Sequence, residues 1–257
     1  MVPIIIITAV VIAFIYATRW QNQQNKQRAE QIASDSRNAG SLGMKMEANV
    51  QQVDRFETST NENYSGTTGA IEWQLQTREI FDRAHRRGTT GSYSTQWTSS
   101  TARFPNDKFL MMMSTPGHDN SGPQQQKKGM LSSLVSKLAE GALDMYVAGY
   151  FGEQYKPLIN VDGGKKITIP EFKEFFILTN DEPMAMKFLN PTTIKYITNW
   201  MANKPTFKHT WRVNSLGVLF APDRSIVSCQ ALMTNANEAK VFSDFGAGLA
   251  TLMKEMA

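Results

Sequence analysis

Residues 2–17, VPIIIITAVVIAFIYA, carry no charge, and only Pro3 and Thr8 fall outside the apolar and aromatic classes. A helix rises ~1.5 Å per residue, so this run would reach about 25 Å, near the lower limit for crossing a ~30 Å hydrocarbon core. Pro3 sits in the first turn, where its missing N–H costs nothing. The hydroxyl of Thr8 can bond back to a carbonyl one turn earlier. The sequence therefore predicts a membrane anchor over residues 1–18, with Ile4, Ile5, Ile6, Val10, Val11, Phe14 and Ile15 facing lipid. Tyr16 and Trp20 fall at the interfacial aromatic belt. A cleaved signal peptide would carry basic residues ahead of its apolar run, and nothing basic precedes Arg19. Arg19, Lys26 and Arg28 follow the run, which by the positive-inside rule orients the N-terminus outward and the bulk of the chain toward the cytoplasm.

Residues 19–40 are polar, free of Pro and rich in helix formers, and predict a helical stalk capped at Gly40 in the left-handed conformation. A β-rich section follows over 41–123. Its clearest strand spans 70–81, where Ile71, Trp73, Leu75 and Thr77 alternate with Glu72, Gln74, Gln76 and Arg78, one face buried and one wet. Residues 92–103 and 108–114 predict further strands, and the run Met111–Met113 suits a strand covered on both faces. A helical section spans 124–156, with Leu131, Leu134, Val135, Leu138, Ala142, Met145 and Tyr146 at helical spacing over 130–150. It reads as a core-packing helix; lying on a membrane surface is the alternative. From 157 to 257 strands and helices alternate. Asp181-Glu182-Pro183 and Asn190-Pro191 start helices, and 172–178, 206–213, 217–220 and 225–232 read as strands. A closing helix from 237 carries Phe242, Phe245, Leu249, Leu252 and Met256 in one stripe. The class is α+β: an N-terminal transmembrane helix and helical stalk, then antiparallel-sheet-rich domains with packed helices.

Composition narrows the chemistry. A net charge of +4 over 257 residues is too mild and too spread for a nucleic-acid binder. One cysteine, Cys229, excludes an internal disulfide and any multi-cysteine metal site. His85, His118 and His209 show no i, i+4 pairing, and no phosphate loop, dinucleotide fingerprint, nucleophile elbow or calcium loop occurs. No catalytic residue, metal ligand or cofactor is expected. Asp162-Gly163-Gly164-Lys165-Lys166 reads as a turn, and Cys229 as a small buried hydrophobe. The densest basic cluster contains His85, Arg86 and Arg87. It reads as a solvated hairpin end, with an anion or anionic-lipid contact as the functional alternative, at ~1 kcal/mol per basic residue.

The stretch Ile169-Pro170-Glu171-Phe172-Lys173-Glu174-Phe175-Phe176 leads through Asp181-Glu182-Pro183 to Leu189-Asn190-Pro191 and a helix. Trp211-Arg212-Val213 and Gly217-Val218-Leu219-Phe220 follow as paired strands. Over about 167–232 this resembles a segment of uncharacterised bacterial membrane-anchored proteins, in which Leu-Thr-Pro stands where Leu189-Asn190-Pro191 does. The resemblance implies a membrane-tethered α+β module and supplies no catalytic residue. The expected role is a single-pass, protein-binding accessory or scaffold subunit, with the bilayer and other membrane-complex proteins as partners. A membrane-associated enzyme with an unrecognised site and an anionic-lipid sensor are the alternatives.

Overall fold

The computed structural model of the chain describes residues 19, 23, 26–27, 29–52, 57–82, 90–114, 140–207, 209–210 and 215–256. The expected anchor lies outside them, as do His85, Arg86 and Arg87. Among the described residues no helix is long and apolar enough to cross a membrane.

The fold is α+β, built on one nine-stranded sheet in which every neighbouring pair is antiparallel. In chain order the strands are β1 (Met44–Gln52), β2 (Glu57–Thr68), β3 (Ile71–Asp82), β4 (Thr90–Ser99), β5 (Leu110–Ser114), β6 (Lys165–Ile167), β7 (Phe175–Thr179), β9 (Gly217–Phe220) and β10 (Ser225–Cys229). Across the sheet they lie in the order β1-β2-β3-β4-β10-β9-β5-β7-β6. A second sheet pairs β8 (His209–Thr210) with β11 (Ala231–Leu232). The helices are α1 (29–41), α2 (Glu140–Phe151), α3 (Glu182–Phe188), α4 (Pro191–Asn203) and α5 (Ala236–Lys254). Strands from the 41–123 section and from 157–257 share the large sheet, because β4 pairs with β10 and β5 lies between β9 and β7.

Register explains the core. A single transverse row, Met46–Tyr64–Leu75–Trp97–Val227–Val218–Met112–Ile177–Ile167, runs through all nine strands. Side chains alternate faces along a strand, so this row defines one face, and every member belongs to or packs against one core. Helix α5 lies across β2, β3, β4 and β10 on that face. It can approach closely because a Cβ on Gly246 would stand 2.5 Å from the Trp97 ring, a contact real side chains do not make. The flank of α5 carries Phe245, which stacks on Trp200 of α4 at 4.1 Å between centroids and on Tyr196 at 5.5 Å.

The next row, Lys45–Ser65–Gln74–Thr98–Ile226–Leu219–Met111–Leu178–Lys166, belongs to the opposite face. It changes from polar to apolar between β4 and β10. There α2 begins to cover it, burying Val147, Tyr150 and Phe151 in a second core with Met111, Met113 and Leu219. Both faces of β5 are thus dry, as its methionine run predicts.

The helix starts are capped by side chains, and those at Asp181 and Asn190 follow the sequence signals. Asp181 accepts from the backbone N–H of Met184, Asn190 from those of Thr192 and Thr193, and Asn235 from that of Glu238. Other expectations are corrected. Helix α1 runs to residue 41, and the left-handed residue is Gly43 (φ 74°) rather than Gly40. Its last turns dock on the domain: Ala39 is fully buried and burial raises the Asp35 carboxyl pKa. Met145, placed with the apolar set by spacing, is 74% exposed. The expected strand from 172 starts instead at Phe175, because Pro170–Phe172 forms a 3-10 turn. The expected 225–232 strand breaks at Gln230, whose N–H turns aside to Ser215 Oγ at 2.7 Å.

Replacing Gly246 with Val should cost about 1–3 kcal/mol, the usual scale for overpacking a tight contact. Gly40→Ala has nothing within 4 Å of its new Cβ and should be neutral or stabilising by up to ~1 kcal/mol. Urea unfolding followed by tryptophan fluorescence compares the two; equal midpoints would contradict the Gly246 contact.

Candidate functional site

The part of the second face that α2 leaves uncovered is a polar cleft over β1–β4. Alternation puts Lys45 and Glu47 of β1, Asn63 and Ser65 of β2, Glu72, Gln74 and Gln76 of β3, and Gln96 and Thr98 of β4 on this side. The main hollow has a volume of ≈ 680 Å³ and a neighbouring one ≈ 430 Å³. Lys45, Ser65, Gln74, Thr98 and Arg224 line both, so the two are continuous.

Its floor is a lattice of amides and hydroxyls. The row Asn63–Gln76–Gln96 crosses β2, β3 and β4, and Gln76 Nε2 donates to Asn63 Oδ1 at 3.2 Å. Gln96 Nε2 donates to the carbonyl of Tyr150 at 3.1 Å, tying the floor to the end of α2. Such side chains offer both donors and acceptors without a fixed charge.

One corner is charged and braced. The β9–β10 turn carries Asp223 and Arg224, and Arg224 Nε donates to Asp223 Oδ2 at 2.7 Å. Tyr155, in the 3-10 helix Glu153–Asn160, donates its hydroxyl to the same carboxylate at 3.1 Å. Burial, then the Asp223 charge, pushes the Tyr155 hydroxyl pKa up to about 12. The Asp223 hydrogen bond raises the Arg224 pKa, so the guanidinium stays charged. With Nε engaged, its two terminal nitrogens are left for the cleft. Arg224 and Lys45 thus stand as two cations beside the amide floor, with the carboxylates of Glu47, Glu72 and Asp223 lining the same cleft.

The residues singled out from sequence lie elsewhere. Cys229 is buried, its thiol raised by burial from the ordinary 9.0 to about 12. In Asp162–Lys166 a turn closed by Gly164 N–H to Val161 O at 3.0 Å leads into β6, which begins at Lys165. Tyr64, on the core side between Asn63 and Ser65 of the cleft, is 1% exposed and donates its hydroxyl to Glu62 at 3.0 Å. Among the described residues no three His, Cys, Asp or Glu side chains gather so as to hold a metal ion. The wet face of β3 was visible in its Glu72, Gln74, Gln76 alternation, whereas Lys45, Asn63 and Arg224 carry no local signal. No family model, no curated protein and no solved structure matches the chain.

At pH 8 the Cys229 thiol should be inert to a thiol-specific reagent in the native protein and react once the protein unfolds. Its native pKa is raised, so the stability it contributes is fully present below about 9 and is lost as pH rises toward about 12. Alkaline titration of the unfolding midpoint should fall in that window, and rapid labelling of the native thiol would contradict the burial.

Proposed function

We propose that the chain is a single-pass membrane-anchored binding module, an accessory or scaffold subunit of a membrane protein complex. Residues 1–18 hold it in the bilayer with the N-terminus outside. The α+β domain presents the β1–β4 cleft to a protein partner on the cytoplasmic side. The observation that carries this reading is the division of one sheet face. Its β10–β7 half is sealed by α2, while its β1–β4 half stays polar and open, with Arg224 braced at the corner. A sheet face of this kind needs no cover for stability, because its polar groups are satisfied by water. An arginine held by a carboxylate is preorganised, and arginine is among the residues that dominate interface energies. The amide and hydroxyl floor suits a partner's polar backbone and side chains, since each group can donate or accept. The basic residues after the apolar run, and the resemblance of 167–232 to membrane-anchored modules, support the tether.

Purification of the full chain from membranes in mild detergent tests both halves. The protein should resist alkaline extraction and retain its N-terminal residues; a mature chain starting near residue 18 or later would refute the anchor. A stoichiometric partner should co-purify and be reduced at least tenfold by Arg224→Glu. No partner, or one indifferent to Arg224→Glu, would end the claim for the cleft.

A further inference from the structure

The two strands that end the nine-stranded sheet differ in how they are protected. β6 is three residues long and two of them are lysines. Short, charged edges of this kind resist pairing with another chain. β1 is nine residues long, without proline and with a single lysine. Among the described residues β1 pairs with β2 alone. Helix α1, which enters β1 through the turn at Gly43, buries Ala39 in the core that lies under the sheet. An open edge of this length is a template for another strand.

We propose that β1 pairs antiparallel with β1 of a second copy of this chain, about a two-fold axis through Met46. Charge selects this occupant and this register. Lys45 and Glu47 flank Met46, both are exposed, and neither forms an ion pair among the described residues. With the axis at Met46, each Lys45 lies directly opposite Glu47 of the second copy, at the ~4.5–5.5 Å Cβ spacing where opposite charges attract. An axis at Lys45 sets two lysines face to face, and an axis at Glu47 sets two glutamates so. A slip by one residue would bring the wet face of one copy beside the core face of the other. An axis at Ala48 gives a longer overlap but leaves both charges opposite neutral residues, Lys45 facing Gln51 and Glu47 facing Asn49.

In the Met46 register the two Met46 side chains meet on the core side and extend the transverse apolar row from one copy into the other. The polar faces lie on the same side of the joined sheet. The two clefts, each bounded outward by β1, become one trough with the Lys45–Glu47 pairs across its middle.

The full chain in detergent tests this. The native thiol, Cys229, is buried, so cross-linking reports an introduced one. Residues directly opposite across antiparallel strands have Cα atoms ~4.5–5.5 Å apart, within disulfide range. Met46→Cys should therefore form a disulfide-linked dimer on mild oxidation, at least tenfold more than Asn49→Cys. Light scattering should give a dimer mass for the unchanged chain and a monomer mass for Lys45→Glu or Glu47→Lys alone. The double exchange K45E/E47K should restore the dimer, which a merely damaged fold would not allow. A monomeric unchanged chain at micromolar concentration overturns the proposal, as does cross-linking through Ala48→Cys in place of Met46→Cys. Arg224→Glu should leave the dimer intact, so loss of the cleft's partner and loss of self-pairing are read separately.

Discussion

The approach of helix α5 to Trp97 is the contact on which the arrangement of layers depends. The indole is fully buried and its Nε1 has no hydrogen-bond partner, so shape alone holds it. Gly246 lets the helix backbone lie on the ring, as no residue with a Cβ could. That closeness fixes the height of α5 above β2, β3, β4 and β10. Phe245 on its flank then sets α4 through stacking with Trp200 and Tyr196. On the far side Phe188 of α3 meets Phe220 of β9 edge-on at 4.9 Å. One face of the sheet is thereby closed from β2 outward, and among the described residues α2 and the 3-10 helix after it are left to cover the other.

That scarcity of cover gives the protein its asymmetry. Where α2 lies, the strands beneath must be apolar on both sides, and Leu219, Met111 and Leu178 meet that requirement. Where it does not lie, Ser65, Gln74 and Thr98 occupy the same transverse row and need only water. The boundary falls between Thr98 and Ile226, which are direct neighbours. Tyr155, Asp223 and Arg224 stand at that boundary, so the charged corner of the cleft is built from the seam between a dry half-sheet and a wet one.

Much of this was legible in the sequence where a local pattern carried it. The alternation in β3, the methionine run of β5, the helix starts at Asp181 and Asn190, and the stripe of α5 are all short-range signals. β1 and β2 carry no such signal, because their polar composition hides the period: Tyr64 is the one large buried side chain within NENYSGTT. Met145 matches the helical spacing yet stays exposed, because periodicity gives the stripe but not how wide a face the sheet will cover. The stalk's docking leaves no pattern in the sequence because it rests on Ala39, too small to register as an apolar face. The cleft was legible only as the wet side of β3. Its other members reach it through pairing registers, and Arg224 joins Lys45 only because β10 completes a sheet begun far earlier in the chain.

The insertion of β10 beside β4 also sets an order in time. Hairpin pairing links β1 to β4 locally, but Val227, the neighbour of Trp97, lies 130 residues later (227 − 97). At ~5–20 residues per second of synthesis, about 10 s separates the two. During that interval β4 is the outer strand of a nascent meander, and Trp97, without α5 above it, has no cover. Long-range closures of this kind slow folding, because loop entropy is lost before the contact forms. The protein is therefore most vulnerable to aggregation not in its finished state but while it is half made, and the strand then at risk is the one that ends at the centre of the sheet.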